Sequence, residues 1–491
     1  MNFYTNICLR GKNVLHRGYD KGSRVQRQIP FSPCLYVPSN KPTKFKTIHG
    51  KFVEEMPFDT VYEANKFIEM YKGVNNYEIY GNTTYIYQYL YNEFPAEVHY
   101  DFDLLKIVTI DIETTCESGF PSITSPNEKV IAITISTNKG QTYVLGLGEF
   151  TVPGVHAIPY TDETELLEAF VAIWKKEDPD IVTGWNIRFF DIPYLVARMN
   201  RLEDGWGSAL SPWGKVREKV VNRMGRDHTV YSIDGIATMD YMEMYQKFTY
   251  VTQESYALNH ICSVELGEEK LSYGKYETLL EFYTNDFQRF MEYNVRDVVL
   301  VQKLEEKLKL TELCVAMAYS AHINFEDVFS QVRAWDAIIH HHLMSRGIVV
   351  PQKTHNSKEE MFAGAYVKEP IVGIHDWVVS YDLASLYPHL IQQYNISPET
   401  QSANKLFHRG AITPEQVLNL SADAMAYAGL AKQHEVCVAG NGVAFSKTQQ
   451  GFLPKLMETM YEERKKFKRL MLEAKKKLEE IDDELKKRSI I

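Results

Sequence analysis

The chain has 491 residues, of which 45% are hydrophobic and 24% charged, a composition typical of a folded protein of about three domains. Its formal net charge of −10 excludes a uniformly basic coat, though not a local basic groove for nucleic acid. Six scattered cysteines, no long apolar run and no signal-like N-terminus predict free thiols, no membrane contact and a cytoplasmic location, the host cytoplasm if a phage encodes the chain.

Residues 1–103 alternate short apolar runs with turn signals such as SNKPTK, which predicts a mixed α/β domain. From LLKIVTIDIETT the pattern changes to three buried strands followed by helical segments, so we expect one α/β domain over residues 104–310. Within it, REKVVNRMGRDHTVYSI indicates a hairpin that turns near residues 224–227.

The C-terminal third begins with a helical region that includes RAWDAIIHHHLMSRG, and a strand-rich segment is predicted from about residue 352. Residues 448–491 are predicted to form one long charged helix. Its apolar residues are spaced by alternating fours and threes, as in a heptad seam: Phe467, Met471, Ala474, Leu478, Ile481 and Leu485. This seam is explained either by packing on the same domain or by a helix from another chain.

Carboxylates in the middle of the chain form the first candidate site. Asp111 and Glu113 are two apart on a predicted strand, so both side chains point to one face, where they repel unless a cation neutralises them. Oxygen ligands of this kind suit magnesium. Asp191 follows an aromatic pair in TGWNIRFFDIPYL, and Tyr293 and Asp297 lie four apart on a predicted helix in YNVRD. Each alone would more often be structural.

A second candidate site lies in VVSYDLASLYPHL, where apolar residues lead to Asp382 and then to a turn and a Tyr-Pro. The pattern predicts a metal-binding carboxylate at the end of a strand, with backbone amides and a tyrosine placed for a nucleotide. The alternative is an ordinary strand, turn and helix with a packed tyrosine.

The three carboxylate segments, in this order, resemble the proofreading exonuclease domain of family B DNA polymerases, and SYDLASLYP resembles the first polymerase motif of that family. The resemblance implies an α/β and α+β multidomain chain. Its parts are an N-terminal domain (1–103, with 311–351 returning to it), a ribonuclease H-like 3′-5′ exonuclease domain (104–310), a partial palm (352–447) and the first part of the fingers (448–491).

For the exonuclease, the resemblance implies that four acids hold two divalent metals, Mg²⁺ or Mn²⁺, about 4 Å apart. These acids are Asp111, Glu113, Asp191 and Asp297. One metal would activate a water, the other would stabilise the leaving 3′ oxygen, and Tyr293 would help to orient the water. Phe120 and Asn186 would contact the frayed single-stranded 3′ end of DNA.

For the polymerase, the resemblance assigns metal binding to Asp382 and the carbonyl of Leu383. Backbone amides of three following residues would cradle the incoming triphosphate, and Tyr387 would exclude a 2′-hydroxyl: Ser385, Leu386 and Tyr387. Arg464 and Lys468, four apart in EERKKFKRLM, would contact the triphosphate, although a solvated basic face explains them equally simply.

The family's third motif, which carries a second catalytic aspartate, is not found in this sequence, nor are the second fingers helix and the thumb. Because one aspartate cannot clamp two metals on a triphosphate, the polymerase site is incomplete. We therefore interpret the chain as the N-terminal part of a split or truncated tailed-phage replicative polymerase. Its expected partners are primer-template DNA, deoxynucleoside triphosphates, a C-terminal fragment and, through that fragment, a sliding clamp. The alternatives are a stand-alone 3′-5′ exonuclease with a vestigial palm and a non-catalytic nucleic-acid-binding subunit.

Overall fold

The computed structural model describes residues 1–74, 77–223, 225–353 and 367–487. The chain divides into two compact units, residues 1–47 with 51–354 and residues 48–50 with 355–491. In the part of the chain that the structure describes, no helix is long and apolar enough to cross a membrane.

The N-terminal part of the first unit contains two small sheets and two helices. One sheet is the antiparallel meander β1–β2–β3, and β4, β5 and β6 are three of the four strands of the second. The elements are β1 (Asn2–Arg10), β2 (Asn13–Asp20), β3 (Ser23–Pro30), β4 (Cys34–Pro38), β5 (Phe45–Thr47), β6 (Phe52–Pro57), α1 (Val61–Tyr71) and α2 (Tyr85–Glu93). This is the mixed α/β structure that the sequence predicts.

A six-stranded mixed sheet forms the centre of the first unit. The elements of this part of the chain are β7 (Ile107–Thr114), β8 (Val130–Thr137), β9 (Thr142–Leu147), β10 (His156–Tyr160), α3 (Glu163–Glu177), β11 (Ile181–Gly184), α4 (Asp191–Leu202), β12 (Val216–Arg223), β13 (Arg226–Ile233), β14 (Ala237–Asp240), α5 (Tyr241–Phe248), α6 (Leu258–Leu266), α7 (Leu279–Asn285) and α8 (Phe287–Leu308). The strand order in the sheet is β10–β9–β8–β7–β11–β14, with β7 antiparallel to β8 and parallel to β11.

The two faces of β7 have different neighbours. Val108, Ile110 and Ile112 pack with apolar residues of α3 and α4, which form the larger core on that face of the sheet. Because side chains alternate along a strand, Asp111 and Glu113 project from the opposite face, which α8 covers. The alternation in the sequence therefore determines which helix meets the acids.

The predicted hairpin is confirmed as β12 and β13, which pair antiparallel from Val216↔Ile233 to Arg223↔Arg226. Met224, at its turn, lies outside the described residues.

The chain then returns to the N-terminal part through α9 (Leu310–Ala321), α10 (Gln331–Met344) and β15 (Ile348–Val349). β15 pairs in parallel with β5, and the hydroxyl of Tyr4 donates to the carbonyl of Ile323 at 2.8 Å. The first unit has no division at residue 103. The boundary between its two expected domains, and the assignment of residues 311–351 to the first of them, stay predictions.

The second unit contains α11 (Leu386–Gln393), α12 (Pro414–Leu418), α13 (Ala422–Gln433), β16 (Val436–Val438), β17 (Ala444–Ser446) and α14 (Phe452–Lys487). Of the strand-rich segment expected from about residue 352, residues 354–366 lie outside the described residues, and the described part contains only the short strands β16 and β17. The expectation of a strand that leads to Asp382 was wrong: residues 367–385 form no strand, because no described strand pairs with their backbone, and Val378 and Tyr381 are exposed. The long C-terminal helix is confirmed as α14, with Phe467 and Leu478 of its seam exposed.

Candidate metal centre and active site

Three carboxylates converge between β7 and α8. Each of Asp111, Glu113 and Asp297 offers an oxygen, and these oxygens lie within 4.8 Å of one another. Three negative charges at this distance in a partly buried site repel strongly unless protons or a cation neutralise them. The arrangement is therefore that of a candidate cation site.

The electrostatics of the three acids reflect this crowding. Burial, and next the charge of Asp297, raise the pKa of Asp111 well above its ordinary value. The same two causes, in the same order, raise the pKa of Glu113 to about 8. In the absence of a cation the cluster therefore retains protons near neutral pH.

Asp191, the fourth predicted acid, is the first residue of α4 and is only 4% exposed. Its Oδ1 accepts a hydrogen bond of 3.0 Å from the backbone N–H of Ile112, which lies between Asp111 and Glu113 on β7. Burial is the main cause that raises the pKa of Asp191 to about 7. All four acids thus meet at one part of the sheet, but only three of them form the close group.

Lys270, which sequence reasoning missed, forms an ion pair with Oδ2 of Asp297. Its Nζ also lies 4.8 Å from the centroid of the Tyr293 ring, so Tyr293 and Asp297 face the same neighbour, as their spacing on the helix predicts. Burial, the largest single cause, acts to lower the pKa of Lys270, but the charges and hydrogen bonds of Asp297 and Tyr293 together outweigh it, and the pKa is raised. Lys270 lies between α6 and α7, in a stretch with no pattern that would identify it.

Asn294, also missed, is fully buried on α8 and holds Asp111 in place. Its Nδ2 donates to Oδ2 of Asp111 at 2.7 Å, and its Oδ1 accepts a hydrogen bond from the hydroxyl of Thr134 on β8. The sequence offers one indication of this role, the position of Asn294 next to Tyr293 and three residues before Asp297. Because that spacing is common in helices, it does not identify Asn294.

The residues present fit a divalent cation. Oδ1 of Asp297 is buried, and no described residue donates a hydrogen bond to it. An ionised oxygen without a donor is costly in a protein interior, and a hard cation with oxygen ligands removes that cost. The donor set, carboxylates without cysteine or histidine, points to Mg²⁺ or Mn²⁺ rather than zinc.

A cleft of about 450 Å³ opens beside the acids. Its lining combines charged side chains with aromatic and apolar ones; the lining residues are Asp111, Asp297, Lys270, Trp185, Asn186, Met242, Tyr256, Ala257 and Leu258. The indole N–H of Trp185 donates to the carbonyl of Tyr256 at 3.1 Å, which fixes the ring. The cleft therefore offers both charged groups and aromatic rings on which a base can stack.

The predicted DNA contact Asn186 lines this cleft. Gly184 before it and the left-handed backbone of Asn186 itself determine its position. A Cβ on Gly184 would lie 2.4 Å from the carbonyl oxygen of Ile110, so β11 approaches β7 this closely only with glycine there. Asn186 adopts φ +66°, and its backbone N–H donates to Oδ1 of Asp240 at 3.2 Å.

The other predicted DNA contact, Phe120, is not among the residues that line the cleft. It lies on the loop between β7 and β8, and its side chain is 88% exposed. Its ring centroid is 5.9 Å from that of Phe190, the residue before Asp191. Phe120 is therefore near the site through Phe190, with most of its ring free to contact a ligand.

The predicted polymerase residues lie in the second unit. Asp382 joins no group of three potential ligands among the described residues. Leu383 is exposed, Ser385 caps α11 with φ +55°, and Leu386 and Tyr387 form its exposed first turn. Arg464 and Lys468 are exposed on α14, which packs against α11 through His389 and Tyr461, with ring centroids 4.7 Å apart. Their predicted roles in nucleotide binding stay predictions.

Cation binding at the acid cluster is expected to strengthen as the pH rises. The neutral form of Glu113 is favoured in the metal-free fold, so its contribution to stability is present below its ordinary pKa of 4.5 and lost as the pH rises through about 8. A cation reverses that loss by neutralising the ionised acids. Between about pH 6 and about pH 8 we expect the apparent Kd for Mn²⁺ to fall, with protons released to the buffer.

Calorimetric titration in two buffers of different ionisation enthalpy measures both quantities. The matched control is Glu117→Gln, because Glu117 is an exposed acid just after β7 and its loss should leave the proton release unchanged. An affinity for Mn²⁺ that does not change with pH, without proton release, would contradict this assignment of the cluster.

Comparison with known proteins identifies family models and relatives that resemble this chain. The model of the exonuclease domain of DNA polymerase family B matches residues 71–261, and the model of DNA polymerase family B matches residues 328–486. Similar proteins include the DNA-directed DNA polymerase of Escherichia phage RB69, which is 30% identical over 98% of this chain and 55% of its own length. The DNA-directed DNA polymerase of Enterobacteria phage T4 is 29% identical over 96% of this chain and 54% of its own length. The DNA polymerase delta catalytic subunit of Dictyostelium discoideum is 26% identical over 74% of this chain and 33% of its own length.

The chain spans about half the length of the two phage relatives. The two family models match consecutive parts of it, and the first includes three of the four predicted acids. The chain belongs to family B of the DNA polymerases.

Proposed function

We propose that the first unit is a metal-dependent 3′→5′ exonuclease that removes nucleotides from single-stranded 3′ ends of DNA. The observation that carries this proposal is the close group of Asp111, Glu113 and Asp297, two of which, Asp111 and Asp297, line a cleft that also contains aromatic side chains. The match to the family's exonuclease domain supports the same assignment.

In this proposal Asp111, Glu113 and Asp297 hold the cations, and Asp191 completes the acidic site beside them. Two bound divalent cations would supply Lewis-acid stabilisation of the phosphate and lower the pKa of the attacking water. Lys270 balances part of the negative charge and fixes Asp297, while Tyr293, in contact with Lys270, is placed to orient the water.

The cleft suits an unpaired nucleotide rather than a duplex. Trp185 and Tyr256 offer stacking surface to any base, and Asn186 offers an amide in the same cleft. Stacking of this kind is largely independent of base sequence, as removal of any mismatched nucleotide requires. Phe120, beside Phe190, is placed to stack on the next base.

Digestion of a single-stranded oligonucleotide labelled at its 5′ end tests the proposal. With Mg²⁺ we expect a ladder of products shortened from the 3′ end, and no degradation with a chelator. A duplex with a mismatched 3′ end should be shortened faster than a fully paired one. Intact substrate with Mg²⁺ and with Mn²⁺ would overturn the proposal.

For the second unit we propose the start of a polymerase site, supported by the family match over residues 328–486. Asp382 and the Leu383 carbonyl would bind metal, the amides of Ser385, Leu386 and Tyr387 the triphosphate, and Arg464 and Lys468 its phosphates. DNA synthesis in phage replication would then need a second catalytic aspartate, a second fingers helix and a thumb in addition to these 491 residues.

We propose that a C-terminal partner supplies those parts and also the contact to a sliding clamp. The exposed seam residues of α14 and residues 367–385, which pair with no described strand, support this proposal, because a helix and strands of such a partner would cover them. Primer extension tests it: with primer-template, Mg²⁺ and deoxynucleotides, this chain alone should shorten the primer without extending it. Extension by this chain alone would contradict the need for a partner.

The alternative from another class, a non-catalytic DNA-binding subunit, would leave the acids unused. Four acids around one site, with Asp297 holding an oxygen that lacks a described donor, favour the enzyme. A chain that binds DNA but neither Mg²⁺ nor Mn²⁺ would favour the binding subunit instead. The cytoplasmic location stays a prediction.

A further inference from the structure

The loop of residues 115–129 connects β7, which carries two of the acids, to β8, and it carries Phe120. Phe120 has one described aromatic neighbour, Phe190, and is otherwise exposed to water. A phenyl ring that is mostly exposed to water makes too few contacts to fix its own position. The backbone of the loop must therefore determine where Phe120 lies.

One buried carboxylate holds the first half of this loop. Glu128 is 6% exposed, and its Oε2 accepts hydrogen bonds from the hydroxyl of Thr115 and, at 3.0 Å, from the N–H of Glu117. Its Oε1 accepts from the N–H of Ser118 at 2.9 Å. Burial acts to raise the pKa of Glu128, but these donors outweigh it and lower the pKa. The side chain is therefore an ionised acceptor for the two residues that lead to Gly119 and Phe120.

The second half of the loop is attached to α4, the helix that begins with Asp191. The hydroxyl of Tyr194 donates to the carbonyl of Glu128 at 2.7 Å. Nη1 of Arg198 donates to the carbonyl of Pro126 at 2.8 Å and to that of Asn127 at 3.1 Å. Arg198 is itself held by Glu163, so this half is fixed independently of the Glu128 carboxylate.

The aromatic contacts also connect Phe120 to α4. Phe190 stacks on Tyr194 with ring centroids 5.7 Å apart, and Phe120 lies against Phe190. Glu128 thus joins the fixed half of the loop to the two residues that lead to Gly119 and Phe120. The hydroxyl of Thr115, which accepts from the N–H of Lys129 at 2.9 Å, joins the two ends of the loop where they meet the strands.

We propose that Glu128 is a positioning residue that holds the loop of residues 115–129 so that Phe120 stacks on an unpaired base at the 3′ end of DNA. The proposal rests on the proposed exonuclease function and adds a determinant of substrate affinity. Glu128 touches neither the acids nor the cleft, so it acts on DNA binding through Phe120 rather than on the chemical step.

Steady-state digestion of a single-stranded oligonucleotide tests the proposal with Glu128→Ala, Phe120→Ala and the double variant. Loss of one stacked base corresponds to about a tenfold rise in KM. We expect that rise for each single variant, a kcat within about twofold of wild type, and no further rise in the double variant. Glu128→Gln, which keeps one carbonyl acceptor, should have an intermediate KM. Glu117→Ala is the control, because only the backbone of Glu117 contacts Glu128.

A fall in kcat at constant KM, or additive effects in the double variant, would overturn the proposal. If the melting curve shows that Glu128→Ala does not fold, the proposal is tested by the KM of Glu128→Gln instead. A wild-type KM for that variant overturns the proposal.

A binding measurement separates this proposal from the proposed function. An oligonucleotide with 2-aminopurine near its 3′ end, with chelator present, should lose fluorescence on binding the wild-type chain and less on binding Phe120→Ala or Glu128→Gln. If the wild-type chain degrades no DNA, the proposed exonuclease function is wrong. The fluorescence measurement still tests whether Glu128 positions Phe120 for stacking on DNA. Equal quenching by wild type and both variants overturns the role of Glu128.

Discussion

Replacement of Asp111 by asparagine is expected to lower the rate of 3′→5′ DNA degradation by at least about 10³-fold. Asp111 belongs to the close group of three acids, and its Oδ2 accepts a hydrogen bond from the amide of Asn294. Asparagine keeps the shape but removes the charge, so a cation loses a ligand that no described neighbour replaces. The measurement is single-turnover digestion of a 5′-labelled oligonucleotide with Mg²⁺.

The fold should survive this change, because burial raises the pKa of Asp111 and a neutral side chain therefore costs the metal-free protein little. A melting curve like that of wild type checks this point. Asp103→Asn, at an exposed acid shortly before β7, is the matched control and should leave the rate unchanged. Retention of more than about a tenth of the activity by Asp111→Asn, in a preparation free of other nucleases, would contradict the assignment of Asp111.

The second large effect is expected at Asn294, which touches no predicted substrate. Asn294→Leu removes the donor to Oδ2 of Asp111 and leaves the hydroxyl of Thr134 without its acceptor. Residues that orient metal ligands typically change affinity or activity by about 10–100-fold when lost. We expect a loss of that size in Mn²⁺ affinity, measured by calorimetry, and a parallel loss in the rate of digestion.

Two further variants test the cause of that effect. Thr134→Val keeps the amide of Asn294 but removes the donor that orients it, so it should have a smaller effect in the same direction. Asn294→Asp adds a charge to the cluster and should instead weaken the fold at high pH in the absence of metal. A wild-type affinity for Mn²⁺ in Asn294→Leu would show that Asn294 only fills space.

The acid cluster could be predicted from the sequence because its members obey local periodicities. Asp111 and Glu113 share a face since strands alternate, and Tyr293 and Asp297 share a face since they are one helical turn apart. Which segments meet across the sheet does not follow from periodicity. That Asp297 reaches the first two acids, while Asp191 lies outside the close group, depends on tertiary packing.

Lys270 and Asn294 could not be identified for the same reason. Lys270 comes from a connection without regular structure, and its role is visible only from its contact with Asp297. Asn294 resembles any polar residue on a helix until Thr134 and Asp111 are seen on either side of it. Contacts between residues far apart in the chain determine both roles.

The wrong strand prediction before Asp382 has a physical cause as well. The apolar run around Val378 and Val379 has the composition of a strand, but a strand exists only when another segment satisfies its backbone groups. No described segment does so here. The backbone hydrogen bonds of α14 lie within the helix, so it needs no second segment to form. The predicted helix is present.

The most direct test of the central claim, a cation-dependent active site built from Asp111, Glu113 and Asp297, is anomalous diffraction from crystals grown with Mn²⁺. We expect Mn²⁺ to be bonded to oxygens of these three residues, and the peaks to disappear in Asp111→Asn. A wild-type crystal with Mn²⁺ bound elsewhere and none at these carboxylates, from protein that still degrades DNA, would contradict the account.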